Sequence, residues 1–176
     1  MNIFGDDDEL AAHATDLIIR TLADAIDARG RAMLALSGGT TAHKTYTLLS
    51  QPAMRERIDW TRTYIFFGDE RFVPADDRVS NFAMAQRVLL EPALAPSENT
   101  FPVPTQLASA DAAARAYADI LDTAFGAREA GEPPRFDLIL LGLGADGHTA
   151  APFPGAEALR VNDRWVVASP PGKLPP

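Results

Sequence analysis

The chain is punctuated by short apolar runs that each end at glycine and charge, and this alternation with helical stretches limits the fold more than any other feature. Met33 to Leu36 is apolar and closes on Ser37-Gly38-Gly39. Thr63 to Phe67 is β-branched and aromatic and stops at Gly68-Asp69-Glu70-Arg71. Phe136 to Leu141 runs into Gly142-Leu143-Gly144-Ala145-Asp146-Gly147-His148. All three read as strands delivering polar residues at their C-terminal ends. The third is apolar without alternation, the pattern of a central parallel strand covered on both faces. Trp165 to Ala168 reads as a fourth short strand.

Between these runs the period changes. From Asp8 to Arg29, Leu10, Ala14, Leu17, Ile18, Leu22, Ala25 and Ile26 recur at three- and four-residue spacing, with Asp16, Arg20, Asp24 and Asp27 opposite, which predicts an amphipathic helix. Thr41 to Leu49 resumes helical spacing through Tyr46, Leu48 and Leu49. Ser80 to Leu90 predicts a helix with Ser80 as N-cap, and Ala110 to Arg128 one with Ala113, Tyr117, Ile120, Leu121, Ala124 and Phe125 as its core stripe. Glu91 to Thr105, with four prolines, reads as a loop. Strand and helix in succession imply right-handed crossovers. The expected fold is α/β: an open parallel, Rossmann-like sheet flanked by helices, in one domain over 1–176. Its polar turns gather at the C-terminal edge, where sheets of this kind bind ligands.

Composition narrows the partners. Twenty-four acidic against sixteen basic residues give a net charge of −8, so nucleic acid and anionic membrane surfaces are not expected partners. An anionic small molecule can still bind where backbone N–H groups and a few cations outweigh that background. There is no cysteine, which removes disulfides, thiolate metal sites and cysteine nucleophiles. The start of the chain has neither a basic nor an apolar leader region, and no apolar run reaches membrane-spanning length, so a soluble, cytoplasmic protein is expected. The three histidines have no ligand spacing, and no metal or cofactor is expected.

The three polar turns are the candidate sites. In Ser37-Gly38-Gly39-Thr40-Thr41, glycines admit close backbone approach and the following helix supplies N–H groups, which suits a phosphate; the same turn is also a good helix start. In Asp69-Glu70-Arg71, with Ser80-Asn81 further on, an arginine fork at a strand end can clamp phosphate or carboxylate. The other account of Arg71 is a surface ion pair with Asp76 or Asp77, Ser80 and Asn81 being a helix cap. In Asp146-Gly147-His148-Thr149, a histidine follows the most apolar strand, with a carboxylate two residues back, and is placed for proton transfer. Gly142, Gly144 and Gly147 match G-x-G-x-x-G, but Pro152 and Pro154 interrupt the helix that a dinucleotide site needs.

Together, Leu36 to Thr41, Phe67 to Arg71 with Val73-Pro74 and Ser80-Asn81, and Leu141 to Ala150 with Phe153-Pro154-Gly155 resemble the 6-phosphogluconolactonase family over essentially the whole chain. The resemblance implies hydrolysis of 6-phosphoglucono-δ-lactone to 6-phosphogluconate in the oxidative pentose phosphate pathway, without metal or cofactor. The family's Asp-Gly-His histidine falls on His148 and its Asp-Glu-Arg arginine on Arg71. This chain differs where the family usually has proline after Ser/Thr-Thr and Ser-Leu-Phe-Pro after the histidine: Ala42 and Ala151-Pro152-Phe153-Pro154 stand there. Family members continue past the equivalent of Pro176 and include there a lysine associated with substrate, so the C-terminal portion of the family domain is expected to be absent. Lys173 lies in the proline-rich stretch before that region.

The expected mechanism has His148 as general base on water and Asp146 holding the imidazole. Ser37, Gly38, Gly39, Thr40, Thr41, Asp69, Arg71 and Asn81 would bind the sugar-phosphate lactone. The nearest alternative is a glucosamine-6-phosphate deaminase or isomerase. Those deaminases carry an acid five residues after the histidine and Asp-Glu-Tyr in place of Asp-Glu-Arg, whereas Phe153 and Arg71 stand here. A non-catalytic sugar-phosphate-binding module is the alternative from another class.

Overall fold

The computed structural model describes residues 2–126, 132–144, 146–150 and 155–169. Three parallel strands form a sheet in the order β2-β1-β3: β1 Ala32–Leu36, β2 Thr63–Phe67 and β3 Leu138–Ile139. Ala32 to Leu36 pair in register with Thr63 to Phe67, and the ladder continues one step further as the Gly68 amide donates to the Leu36 carbonyl at 2.8 Å. On the other side Leu34 pairs with Leu138 and Ala35 with Ile139, and the Asp137 and Leu140 amides donate to the Met33 and Ala35 carbonyls.

The period of two along β1 divides the interior into two cores. Ala32, Leu34 and Leu36 face a cluster with Ile18, Leu22, Tyr46, Leu49, Leu89 and Leu90, contributed by helices α1 Asp7–Arg29 and α2 Thr40–Leu49 and by the segment 81–93. Met33 and Ala35 face the opposite cluster, with Phe66 of β2 and with Tyr117 and Leu121 of the helix Ala110–Phe125. There Phe66 stacks on Phe101 at 4.7 Å and meets the edge of Phe136 at 5.4 Å. All five residues of β1 are buried, since helices cover both faces.

The central strand is therefore β1, where the sequence pointed to Phe136–Leu141. Among the described residues β3 is paired on one side only. Leu138 and Leu140 pack into the first core, while Ile139 and Leu141 are 47% and 61% exposed. An unbroken apolar run reports that both faces of a strand are apolar, not that both of its edges are paired. Trp165 to Ala168 forms no strand: no ladder partner reaches it among the described residues, and β-branched composition alone does not make one. Val166 does pack against the second core.

The helices start where their caps dictate. Asp6 accepts hydrogen bonds from the Asp8 and Glu9 amides, and Gly30, at φ 75°, ends α1 in the left-handed region. The buried stripe of α1 is Ala11, Thr15, Ile18, Ile19, Leu22 and Ala25, so Leu17, expected inside, stands 46% exposed. Counting apolar residues misses Thr15, whose hydroxyl donates to the Ala11 carbonyl at 2.8 Å and is thereby satisfied in the interior.

Ser80 caps its helix as expected, its hydroxyl accepting from the Ala83 amide, but Ser80 to Leu90 is not one regular helix. Helix α3 Asn81–Ala85 passes into a π-turn at Gln86–Leu90 and a final turn at Glu91–Ala93. Pro92 lacks a donor, and its ring would clash with the carbonyl four residues back. The widened turn, in which the Glu91 amide donates to Gln86, accommodates it. Beyond it, the Phe101 amide donates to the Ile65 carbonyl at 2.8 Å, which straps the proline-rich segment to β2. Among the described residues no helix is long and apolar enough to cross a membrane.

Candidate active site

Because the three strands run parallel, the turns after them lie on one edge. The order β2-β1-β3 puts the turn after β1 between the other two. Each turn is held by a different device.

The central turn, Ser37 to Thr41, is fixed from below. Tyr46 of α2 is fully buried, and its hydroxyl accepts from the Ser37 amide at 3.0 Å and donates to the Ser37 carbonyl at 2.9 Å. One hydroxyl thus satisfies both backbone groups of a residue that has left the strand ladder. Burial pushes the Tyr46 hydroxyl well above the ordinary tyrosine value. Gly39, at φ 100°, is the N-cap of α2 and brings no capping side chain; no acidic residue occupies the first turn, and Gly39, Thr40 and Thr41 are exposed. The α2 N-terminus therefore presents uncommitted N–H groups and threonine hydroxyls at the sheet edge, the chemistry that takes an anion.

The turn after β2 is clamped to the start of α3. One oxygen of Glu70 accepts from the Arg71 amide at 2.7 Å and the Asn81 amide at 2.8 Å. The other accepts from the Phe82 amide at 2.8 Å and the Ser80 hydroxyl at 3.1 Å. Buried Asn81 donates to the Asp69 carbonyl at 3.0 Å and to its carboxylate at 3.3 Å. On its other side its amide occupies the space beside Gly38, so the first two turns touch through it. Burial raises the Asp69 carboxyl above the usual range, and Arg71, the Asn81 hydrogen bond and His148 oppose that rise. Asp69 thus feels both the arginine of its own turn and the histidine of the third. Of the two accounts of Arg71, no ion pair with Asp76 or Asp77 is found among the described residues, where the Asp77 carboxylate accepts from the Val79 amide at 2.9 Å, although Ser80 does cap the helix.

The turn after β3 closes on itself: the Gly144 amide donates to the His148 carbonyl at 2.8 Å and the Gly147 amide to the Gly144 carbonyl at 2.9 Å. The Asp146 carboxylate meets His148 Nδ1 at 2.5 Å and also accepts from its backbone amide at 3.3 Å. That contact with the ring holds the Asp146 carboxyl below the usual carboxylate range. The imidazole is 26% exposed, accessible to solvent and not enclosed by the core. A carboxylate on Nδ1 selects the tautomer with the basic nitrogen at Nε2.

Of the residues singled out in the sequence, Ser37, Gly38, Gly39, Thr40 and Thr41 lie in the middle of this one edge, Asp69, Arg71 and Asn81 on its β2 side, and Asp146 and His148 on its β3 side. Glu70 and Tyr46 were missed. Glu70 lies ten residues before its cap partner Ser80, and Tyr46 reads only as one more apolar position of a helix stripe, so neither had a local signal. Lys173 and Ala151 to Pro154 lie outside the described residues. A cleft of about 600 Å³, lined by Phe82, Gln86, Leu90, Leu94 and Pro102 among others, involves none of the three turns.

The sequence profile of the family described as glucosamine-6-phosphate isomerases/6-phosphogluconolactonase matches residues 5–176. The chain is 41% identical over 157 residues to the 6-phosphogluconolactonase of Synechocystis, an alignment covering 89% of this chain and 63% of that protein. Among solved structures, the 6-phosphogluconolactonase from Trypanosoma brucei is similar at 34% identity with a TM-score of 0.83, covering 99% of this chain and 72% of that one. The 6-phosphogluconolactonase from Leishmania guyanensis is similar at 28% identity and a TM-score of 0.84, covering 98% and 70%. The chain thus spans less than two thirds of the length of the Synechocystis protein.

Proposed function

This chain belongs to the family of glucosamine-6-phosphate isomerases and 6-phosphogluconolactonases, and from that premise we propose that its sheet edge hydrolyses 6-phosphoglucono-δ-lactone to 6-phosphogluconate, a step of the oxidative pentose phosphate pathway. The observation that carries the reading is that the turns after three parallel neighbouring strands share one edge, with Asn81 joining the first two at Gly38 and Asp69, around a central turn whose helix N-terminus no side chain caps.

Two helix starts border this edge, and they are not equivalent. The amides at the start of α3 are consumed by Glu70 and Ser80, whereas those of α2 are not committed to a side chain. The phosphate, carrying about −1.5 to −2 charges at pH 7, therefore goes to Gly38–Thr41, with the Arg71 guanidinium completing its neutralisation. Local cationic character of this kind is what a chain of net charge −8 needs in order to hold an anion.

With the phosphate held, the lactone carbonyl comes to the β3 side. His148 Nε2 takes a proton from a water molecule as the water oxygen bonds to the carbonyl carbon. The carbon–ring-oxygen bond then breaks, and the imidazolium returns the proton to the departing ring oxygen as a hydroxyl. Asp146 keeps Nδ1 protonated and stabilises the transient cation. A positioned base supplies about 10² to 10⁴ in rate, enough for an activated ester that needs no covalent intermediate.

The test is lactone hydrolysis by the purified protein measured against the spontaneous rate, with His148→Ala alongside. The expected result is acceleration by the wild type, and in the variant a fall in kcat of about 10² or more with affinity for 6-phosphogluconate kept. A wild-type rate equal to the spontaneous one, with 6-phosphogluconate bound, would replace the enzyme by a binding module. An unchanged kcat in the variant would remove His148 from the mechanism.

A further inference from the structure

We infer that Glu70 is a positioning residue of this site, setting the place of Arg71 by tying its backbone to the start of α3. The inference rests on the lactonase reading above and names a residue to which that reading gives no role.

Glu70 lies between two candidate substrate-binding residues and contacts the backbone of one. Its carboxylate accepts from four donors: the Arg71 amide, the Asn81 and Phe82 amides and the Ser80 hydroxyl, at 2.7 to 3.1 Å. Both oxygens are used twice, in the geometry that an anion would otherwise have at that helix start. The carboxylate acts as an internal substitute for such an anion, which leaves the α2 N-terminus as the remaining uncapped start on this edge.

The consequence for Arg71 is mechanical. A long side chain holds a bidentate geometry only if its Cα is fixed. Here the turn Asp69 to Arg71 is tied to the segment 80–82 at two places, through Asn81 on the Asp69 carbonyl and through Glu70, one oxygen of which accepts from both the Arg71 and the Asn81 amides. Replacing the carboxylate by an amide turns one oxygen into a donor that faces two donors. The Arg71 turn is then released while the Asp146–His148 turn, on the far side of β1, is untouched.

The experiment is a double-mutant cycle of Glu70→Gln and Arg71→Ala. It is read by kcat, by KM for the phosphorylated lactone and by calorimetric binding of 6-phosphogluconate. In the wild-type background E70Q is expected to raise KM and weaken binding about tenfold, with kcat changed less than about threefold; in the R71A background it is expected to add little. A tenfold effect that persists without Arg71, or a matching loss of kcat, overturns the inference and leaves Glu70 a structural cap. If the wild type binds 6-phosphogluconate but does not hydrolyse the lactone, the lactonase reading fails while the binding arm still decides the role of Glu70. If the wild type binds no sugar phosphate, both fail. Should E70Q lose its cooperative unfolding transition, Ser80→Ala, which removes one of the four donors, is read in the same cycle with a smaller shift expected, and no shift overturns the inference.

Discussion

The Asn81 side chain fills the space in which a Cβ on Gly38 would sit: that atom would lie 1.9 Å from Asn81 Oδ1 and 2.6 Å from its Cγ. Asn81 cannot simply swing aside, because its amide donates to Asp69. Gly38→Ala is therefore expected to force the two turns apart, lowering stability by about 1–3 kcal/mol and raising KM for a phosphorylated lactone. Urea unfolding and steady-state kinetics read both quantities, and a variant as stable as the wild type would show that Asn81 is not pinned.

Gly144 makes the opposite kind of contact. A Cβ there would fall 2.2 Å from His148 Cε1 and 2.3 Å from Nδ1, but the obstructed group is a partly exposed ring that can rotate away. Gly144→Ala is expected to cost less than about 1 kcal/mol in stability and to lower kcat by displacing the ring from Asp146. A melting temperature near wild type combined with an unaltered kcat would show that ring orientation does not matter.

Asp146→Asn keeps the shape of that turn and removes the charge on Nδ1. For a buried orienting carboxylate such a change costs about 10⁴ in kcat; Asp146 is half exposed, so a fall of between about 10-fold and that limit is expected, with KM little changed. Because the ring lowers the Asp146 carboxyl, the pair contributes above the ordinary carboxylate range, and its contribution is lost as pH falls through the lowered value. Wild-type stability should thus lose this increment only at strongly acidic pH, and D146N should not show it. Identical acid limbs in urea midpoints of the two proteins would contradict the assignment.

Tyr46 has a counterpart in Tyr117. The Tyr117 hydroxyl accepts from the Phe67 amide at 2.8 Å and donates to the Phe101 carbonyl at 3.1 Å, so each of the two longer strands ends on a buried tyrosine. Tyr46→Phe leaves the Ser37 amide and carbonyl without that hydroxyl, at an expected cost of about 1–3 kcal/mol. Burial raises both phenols above the ordinary value of about 10. The unfolded chain loses these protons near that pH while the folded chain keeps them, so stability is full below it and falls as pH rises beyond it. Denaturation midpoints measured from pH 8 to 11 should show this decline, and Y46F and Y117F should each flatten it; a slope identical to wild type in both variants would rule the tyrosines out as its source.

The extent to which this site could be read in advance follows from the range of the forces involved. Gly38-Gly39, Asp69-Arg71 and Asp146-His148 were visible because turn chemistry at the end of an apolar run is a local property, expressed over a few residues whatever the rest of the chain does. The Ser80 cap was visible for the same reason. Glu70 was not, since its partners lie ten to twelve residues away and its side chain is ordinary until α3 is brought to it.

From the chain's own letters came the alternation of strand and helix, the parallel α/β class and the three polar turns at the strand ends, because backbone period and glycine placement act over a few residues. Tertiary structure alone decided that β1 and not Phe136–Leu141 lies at the centre, that Pro92 is absorbed by a π-turn, and that Asn81, Glu70 and two tyrosines bind the turns into one edge. Edge pairing and the satisfaction of buried polar groups depend on which segments become neighbours, and that is settled only when the two cores close on either face of β1.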